Sequence, residues 1–115
     1  MFRLFVVTKR NPNLTMEQFI EHYETVHAPM NRRLYPQMKR YIRNYLSPVD
    51  ADMPTDNEAP FDCITEAIFD REEDFRSVLR DMETNTENTE EHLEDEEKLF
   101  DRSKVWWFTC KTYES

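Results

Sequence analysis

Residues 9–29 read KRNPNLTMEQFIEHYETVHAP, a polar turn followed by a helix whose apolar stripe ends on a histidine. Thr15 and Gln18 have capping-box spacing: the threonine hydroxyl accepts from a first-turn amide and the glutamine reaches back. From there Met16, Phe19, Ile20, Tyr23, Val26 and His27 fall on one face at ~100° per residue. Glu17, Gln18, Glu21, Glu24 and Thr25 fall opposite. His27 therefore sits on the inward side, in the last turn before Ala28-Pro29. An imidazole there can move protons near neutral pH. The competing reading is a core histidine with its hydrogen bonds satisfied.

Outward from this helix the chain alternates strand and helix. Residues 2–8 are β-branched and apolar on both faces, which suits a strand covered on both sides. The helix spans 15–30, with a turn through 31–34, and Tyr35-Pro36 breaks it. A second strand is expected over 39–46. A loop with Pro48, Pro54, Pro60 and four acidic residues follows over 47–60, then a third strand over 61–69. Residues 71–82 form a helix with Phe75, Val78, Leu79 and Met82 on one face. A short helix over 90–100 and an aromatic strand over 104–113 complete the chain. The order is βαββαβ with an extra helix before the last strand, an α+β ferredoxin-like domain spanning residues 1–115. Helices cover only one face of such a sheet, yet strands one and four are apolar on both. Pairing two sheets face to face hides the second face, so a homodimer with a cavity between its sheets is expected.

Composition narrows the function. A chain of 115 residues holds one modest core. A formal charge of −9 disfavours nucleic acid and anionic membrane surfaces as partners. The acidic run over 84–101 reads as a solvated face, which places His92 at the surface, with His22 at the stripe's edge. No membrane-spanning run or signal-peptide pattern is present, and the chain is expected to be cytoplasmic. The chain has no glycine, so phosphate loops, dinucleotide fingerprints and nucleophile elbows are absent. Cys63 and Cys110 lack metal-ligand spacing and read as reduced thiols within strands. Neither a metal nor a cofactor is expected.

Strand two places Tyr41, Arg43 and Tyr45 on one face. In strand three Asp62, Ile64, Glu66 and Ile68 alternate with Cys63, Thr65, Ala67 and Phe69, and the small set suits packing beneath helices. That assigns Asp62, Ile64, Glu66 and Ile68 to the barrel face, with Tyr41 and Arg43 as the matching polar set. Buried carboxylates there need partners or a raised pKa. For Glu66 the structural alternative is an ion pair with Arg43 or Lys9. On the last strand Trp106 and Phe108 alternate with Val105 and Trp107. One pair lines the cavity and the other meets the helices, and Trp106 with Phe108 is taken as the wall against a flat, apolar ligand.

Four blocks together resemble the EthD-domain family of the dimeric α/β-barrel superfamily. They are K-R-x-P-x-L-T-x-E-x-F-x-x-H-Y-x-x-V-H-A-P, the pair Arg40-Tyr41, F-D-x-I-x-E-x-x-F-D from Phe61 to Asp70, and D-E-x-x-x-F-D from Asp95 to Asp101. The resemblance implies a ferredoxin-like homodimer with an internal cavity. Related barrels include lactone isomerases, aromatic-polyketide cyclases and cofactor-free monooxygenases. By similarity to the methylmuconolactone-isomerase type, the helix-end histidine and strand-two tyrosine map onto His27 and Tyr41. That type uses a cavity cysteine, and here the nearest thiol, Cys63, lies on the helix side.

The expectation is a cofactor-independent lyase or isomerase acting on an oxygenated ring compound, as in aromatic polyketide tailoring. His27 serves as general base, Tyr41 steadies the developing enolate, and Asp62 or Glu66 orients the imidazole or acts as a second acid. Arg43, Tyr45, Ile64, Ile68, Trp106 and Phe108 contact the substrate. The alternatives are a cofactor-free monooxygenase and a non-catalytic dimeric module that binds a hydrophobic aromatic ligand.

Overall fold

Thr15 has an extended backbone, its hydroxyl accepts from the Gln18 amide at 3.1 Å, and Gln18 Oε1 accepts from the Thr15 amide at 3.0 Å. This capping box starts helix α1, Met16–His22. The helical backbone runs on through a π turn, Tyr23–His27, into α2, Ala28–Leu34. In the π turn the Ala28 amide donates to the Tyr23 carbonyl, five residues back. Pro29 supplies the cause. It lacks an amide hydrogen, and in an unbroken α-helix its ring would crowd the Thr25 carbonyl. One wider turn relieves the crowding.

The π turn also aims side chains. Tyr23, His27, Asn31 and Tyr35 recur every four residues, and on a regular α-helix each step of four drifts about 40° around the axis. Widening one turn absorbs part of that drift. All four side chains consequently line the same cavity.

The computed structural model describes residues 1–49 and 59–115. Strands β1 (Phe2–Arg10), β2 (Arg40–Tyr45), β3 (Cys63–Phe69) and β4 (Phe100–Phe108) form one antiparallel sheet in the order β2-β3-β1-β4. Helices α3 (Glu72–Thr84) and α4 (Thr86–Leu99) connect β3 to β4. This is the expected α+β ferredoxin-like arrangement. The loop expected over 47–60 lies mostly outside the described residues. The fourth helix begins earlier than the periodicity suggests, because Asn85 Oδ1 caps the Asn88 amide at 3.1 Å. Strand β4 begins at Phe100 rather than 104 and ends at Phe108, which leaves Cys110 exposed beyond the sheet rather than buried within a strand.

Register sorts the two faces. Tyr41 pairs with Ala67, Arg43 with Thr65 and Tyr45 with Cys63, while Leu4, Val6 and Thr8 pair with the same three β3 residues from the other side. Paired residues share a face, and this one lies under the helices, where Leu4, Ala67 and Phe69 pack against Met30, Leu34, Phe75 and Val78. The opposite face carries Phe5, Ile42, Ile64, Glu66, Ile68, Trp106 and Phe108. The expected grouping of Tyr41 and Arg43 with Glu66 is therefore corrected. Alternation fixes which residues share a face within one strand, but register fixes which sets meet between strands. Here the large rings of β2 lie opposite the small side chains of β3, where there is room for them.

The core has two parts. One gathers Leu4, Met30, Leu34, Tyr35, Phe69 and Phe75, the other Phe19, Tyr23, Ala28, Cys63, Leu99 and Phe100, and Tyr41 packs against both. The cavity lies between them.

Candidate active site

A cavity of about 60 Å³ lies inside the single chain, between sheet and helices, several times the ~10–15 Å³ that one water needs. Its walls are mainly apolar, from Leu4, Val6, Phe69, Phe75, Val78, Phe100, Val105 and Trp107. The polar groups are few: Tyr23, His27, Asn31, Tyr35, Tyr41, His92 and Glu96. This cavity lies on the helix side of the sheet, where Tyr41 and Trp107 contribute to its wall.

His27 is 2% exposed, so its partners decide its state. Its Nδ1 lies 2.7 Å from Asp95 Oδ2, and the Tyr23 and Phe100 rings pack edge-on at 5.2 and 5.4 Å between centroids. A carboxylate only accepts, so Nδ1 carries the hydrogen and Nε2 keeps its lone pair for the cavity. Burial pushes the imidazole below its usual 6.5, against the pull of the Asp95 hydrogen bond, and the neighbouring His92 adds to the fall. The ring is neutral at neutral pH and can act as a base. Burial alone would raise the Asp95 carboxyl, but bonds from His27 and His22 outweigh it and hold the group below 3.8. His22 Nε2 is 2.8 Å from Asp95 Oδ1, so one carboxylate serves two imidazoles.

Tyr41 is the second polar anchor. Asn31 Nδ2 donates to its hydroxyl oxygen at 3.0 Å, and the Arg43 guanidinium stands 5.1 Å from its ring centroid. Burial raises the phenol above its ordinary value, so it remains a neutral donor. Tyr23, raised the same way, shares a 2.7 Å hydrogen bond with Thr65 Oγ1. Cys63 lies beneath this group, its thiol pushed by burial up to about 11. It stays protonated at neutral pH, a poor nucleophile.

Of the residues expected to carry chemistry, the fold brings His27 and Tyr41 into the cavity wall. Arg43 and Tyr45 share the helix side but are engaged with Glu24: Arg43 Nε and Nη2 donate to its two oxygens at 2.9 and 2.7 Å, and the Tyr45 hydroxyl donates to Oε2. Glu66, Ile64, Ile68, Trp106 and Phe108 occupy the other face, so an Arg43–Glu66 pair does not form. Asp62 is buried just before β3 and lies outside the cavity lining. It accepts from the Arg10 amide at 2.9 Å, Arg10 Nη1 at 3.2 Å and Lys9 Nζ at 3.3 Å, tying the start of β3 to the end of β1. The residues that sequence reasoning passed over are Asp95, His22, His92 and Glu96. His92, expected at the surface, faces the cavity with its ring 5.6 Å from that of His27. The readable signal was the α4 face carrying His92, Asp95, Glu96 and Leu99, at helical spacing inside the acidic run.

The fold and this enclosed pair of imidazoles define a ferredoxin-like α+β chain with a small internal site. The chain belongs to the EthD domain family, whose family model matches residues 11–103. Among solved structures it is similar to an ethyl tert-butyl ether D (EthD) family protein from Bacillus halodurans C-125. The two are 18% identical with a TM-score of 0.66, and the match covers 98% of this chain and 100% of that one. A protein from Arabidopsis thaliana is similar at 14% identity and a TM-score of 0.63, covering 100% of this chain and 98% of that one. These likenesses show the fold. No curated protein matches the sequence. Among the described residues, no helix is long and apolar enough to cross a membrane.

Proposed function

We propose that this EthD-domain chain is a cofactor-independent enzyme of the lyase or isomerase type, acting on a small oxygenated ring compound of the kind handled in aromatic polyketide tailoring. One observation carries the reading: a buried His27, its Nδ1 held by Asp95, lines an apolar cavity that Tyr41 also lines. His27 removes a proton beside a substrate carbonyl, and the Tyr41 hydroxyl donates to the developing enolate oxygen. The apolar walls keep water from competing for either group. A placed base of this sort contributes roughly 10²–10⁴-fold, and loss of one oxyanion donor costs about 10²–10³-fold. The protein works as a homodimer, with the exposed aromatic rings of β4 in the sheet-to-sheet contact.

The test is exchange of α-protons in D₂O for 2-tetralone and smaller aryl ketones, followed by proton NMR. Wild-type protein should exchange them and folded His27→Ala should not. Equal exchange by both proteins removes the base. Stabilisation by the ketones without exchange favours the ligand-binding module, and oxygen uptake during turnover favours the monooxygenase.

A further inference from the structure

Charge is distributed unevenly around this cavity. Among the described residues that line it, Glu96 is the one carboxylate, and none is a lysine or an arginine. Residues 50–58 contain neither type. Each imidazole in the wall already faces a carboxylate of the protein. His27 Nδ1 is 2.7 Å from Asp95 Oδ2, and His92 Nε2 is 3.4 Å from Glu96 Oε2. Arg43, whose guanidinium stands 5.1 Å from the Tyr41 ring centroid, donates to both oxygens of Glu24. Whatever the protonation state of the two rings, the wall offers no cation that a protein carboxylate does not already match.

Burial alone would raise the Glu96 carboxyl, but His92, Arg102 and His27 outweigh it and hold the group below 4.5. Arg102 itself is exposed on β4 and stands outside the lining. The phenols in the wall are neutral. Tyr35 is 3% exposed, and its hydroxyl has no hydrogen-bond partner among the described residues. Burial, with Asp81, Glu96 and Glu91 adding to it, pushes that phenol up to about 12, so it keeps its hydrogen at neutral pH. A buried phenol without a partner suits a carbonyl or hydroxyl oxygen of a ligand.

Resting on the reading of this cavity as the substrate site, we propose that Glu96 is a specificity-determining residue: it restricts the site to uncharged ring compounds, whose oxygens are carbonyl or hydroxyl groups, and turns away ring carboxylates. An anion entering the apolar cavity loses its water and gains no cation in return. Glu96 adds repulsion at short range, in surroundings that screen it weakly. A ketone of the same shape meets neither cost, and a ligand hydroxyl can donate to the Glu96 oxygens. A carboxylated precursor must therefore lose or mask that group before it reaches this site.

Acetophenone and benzoate make the comparison, because they differ chiefly in a methyl group replaced by a charged oxygen. Their dissociation constants at pH 7 are read by titration on the Trp107 indole signal in proton–nitrogen NMR, since Trp107 lines the cavity. Wild-type protein should bind acetophenone at least about tenfold more tightly than benzoate. A smaller ratio, a preference for benzoate, or failure to bind the ketone overturns the inference, and this arm needs no variant to fold. Glu96→Gln keeps the shape of the side chain and removes its charge. In that folded protein benzoate should gain severalfold on acetophenone, and an unchanged ratio overturns Glu96 as the excluding group. Glu96→Met serves the same arm if the glutamine variant does not fold. Neither arm needs turnover. Ketone preference without α-proton exchange counts against the enzymatic reading alone, and exchange alongside equal benzoate binding counts against this inference alone.

Discussion

Asp95 Oδ2 accepts from His27 Nδ1 at 2.7 Å across 68 residues of sequence, joining the π turn to α4 at the cavity wall. The contact decides the chemistry of both groups. It fixes which imidazole nitrogen is the base, and it keeps the carboxylate ionised although largely shielded from solvent. The same carboxylate holds His22 at 2.8 Å, so α1, the π turn and α4 are bound at one point. A structural tie and an orienting group are here one residue.

Replacing Asp95 by Asn should leave the fold largely intact and lower α-proton exchange by about 10²-fold or more. The amide can donate to His27 Nδ1, which favours the tautomer whose Nε2 carries hydrogen and cannot act as base. Exchange kinetics with 2-tetralone, read beside the melting temperature, check this. Full activity in a folded Asp95→Asn protein would remove the orienting role.

Stability should fall with acid in two stages. The folded His27 binds its proton less readily than the unfolded ring, whose value is 6.5, so between 6.5 and the lowered folded value the unfolded chain takes up more protons. Stability declines as pH falls through that window and then levels for this group. Asp95, lowered from 3.8, adds a further loss as pH drops below that value toward its folded one. Melting temperatures from pH 8 to 3 for wild type and His27→Gln should differ in slope in the upper window, and also in the lower one, where loss of the His27 hydrogen bond relaxes Asp95. Parallel curves in the upper window would show that His27 is not held neutral by burial.

How much of this could be read from the chain depends on the kind of signal. The capping box, the helix break at Tyr35-Pro36 and the inward position of His27 are local, and each is where its spacing puts it. Tyr41 was also legible as a cavity residue, but its face was not. The phase of β2 against β3 is a matter of register between strands, and nothing in either strand's own alternation encodes it. Asp95 and Glu96 were hidden for another reason. A carboxylate in an acidic run reads as solvated, and only its partner histidine, 68 residues away in the case of Asp95, shows that it is held inside.

The two cysteines should react very differently. Cys63 is 0% exposed with its thiol raised to about 11, whereas Cys110 is exposed beyond β4. Attack on a disulfide reagent requires thiolate and access. Titration with Ellman's reagent at pH 8 should therefore release one equivalent per native chain and two after unfolding. Two rapid equivalents from native protein would mean that Cys63 opens to solvent, and would undo the closed wall beneath Tyr23 and Tyr41.

The sheet face away from the helices makes the last prediction. Trp106 is 49% exposed and Phe108 48%, side by side on β4 with Phe5 and Val7 opposite them. Complete burial of such side chains is worth roughly 1.5–3 kcal/mol each, and a contiguous apolar patch on an edge strand invites a partner. A second copy offers the same patch, and twofold pairing buries both at once. Light scattering at micromolar concentration should give twice the 14.1 kDa chain mass. The double variant Trp106→Glu, Phe108→Glu should give the single-chain mass while keeping its helical circular dichroism, because neither ring touches the cavity or the core beneath the helices. A wild-type monomer would leave this face without its expected cover and take the homodimer out of the proposal. The His27–Asp95 site, built within one chain, would still stand.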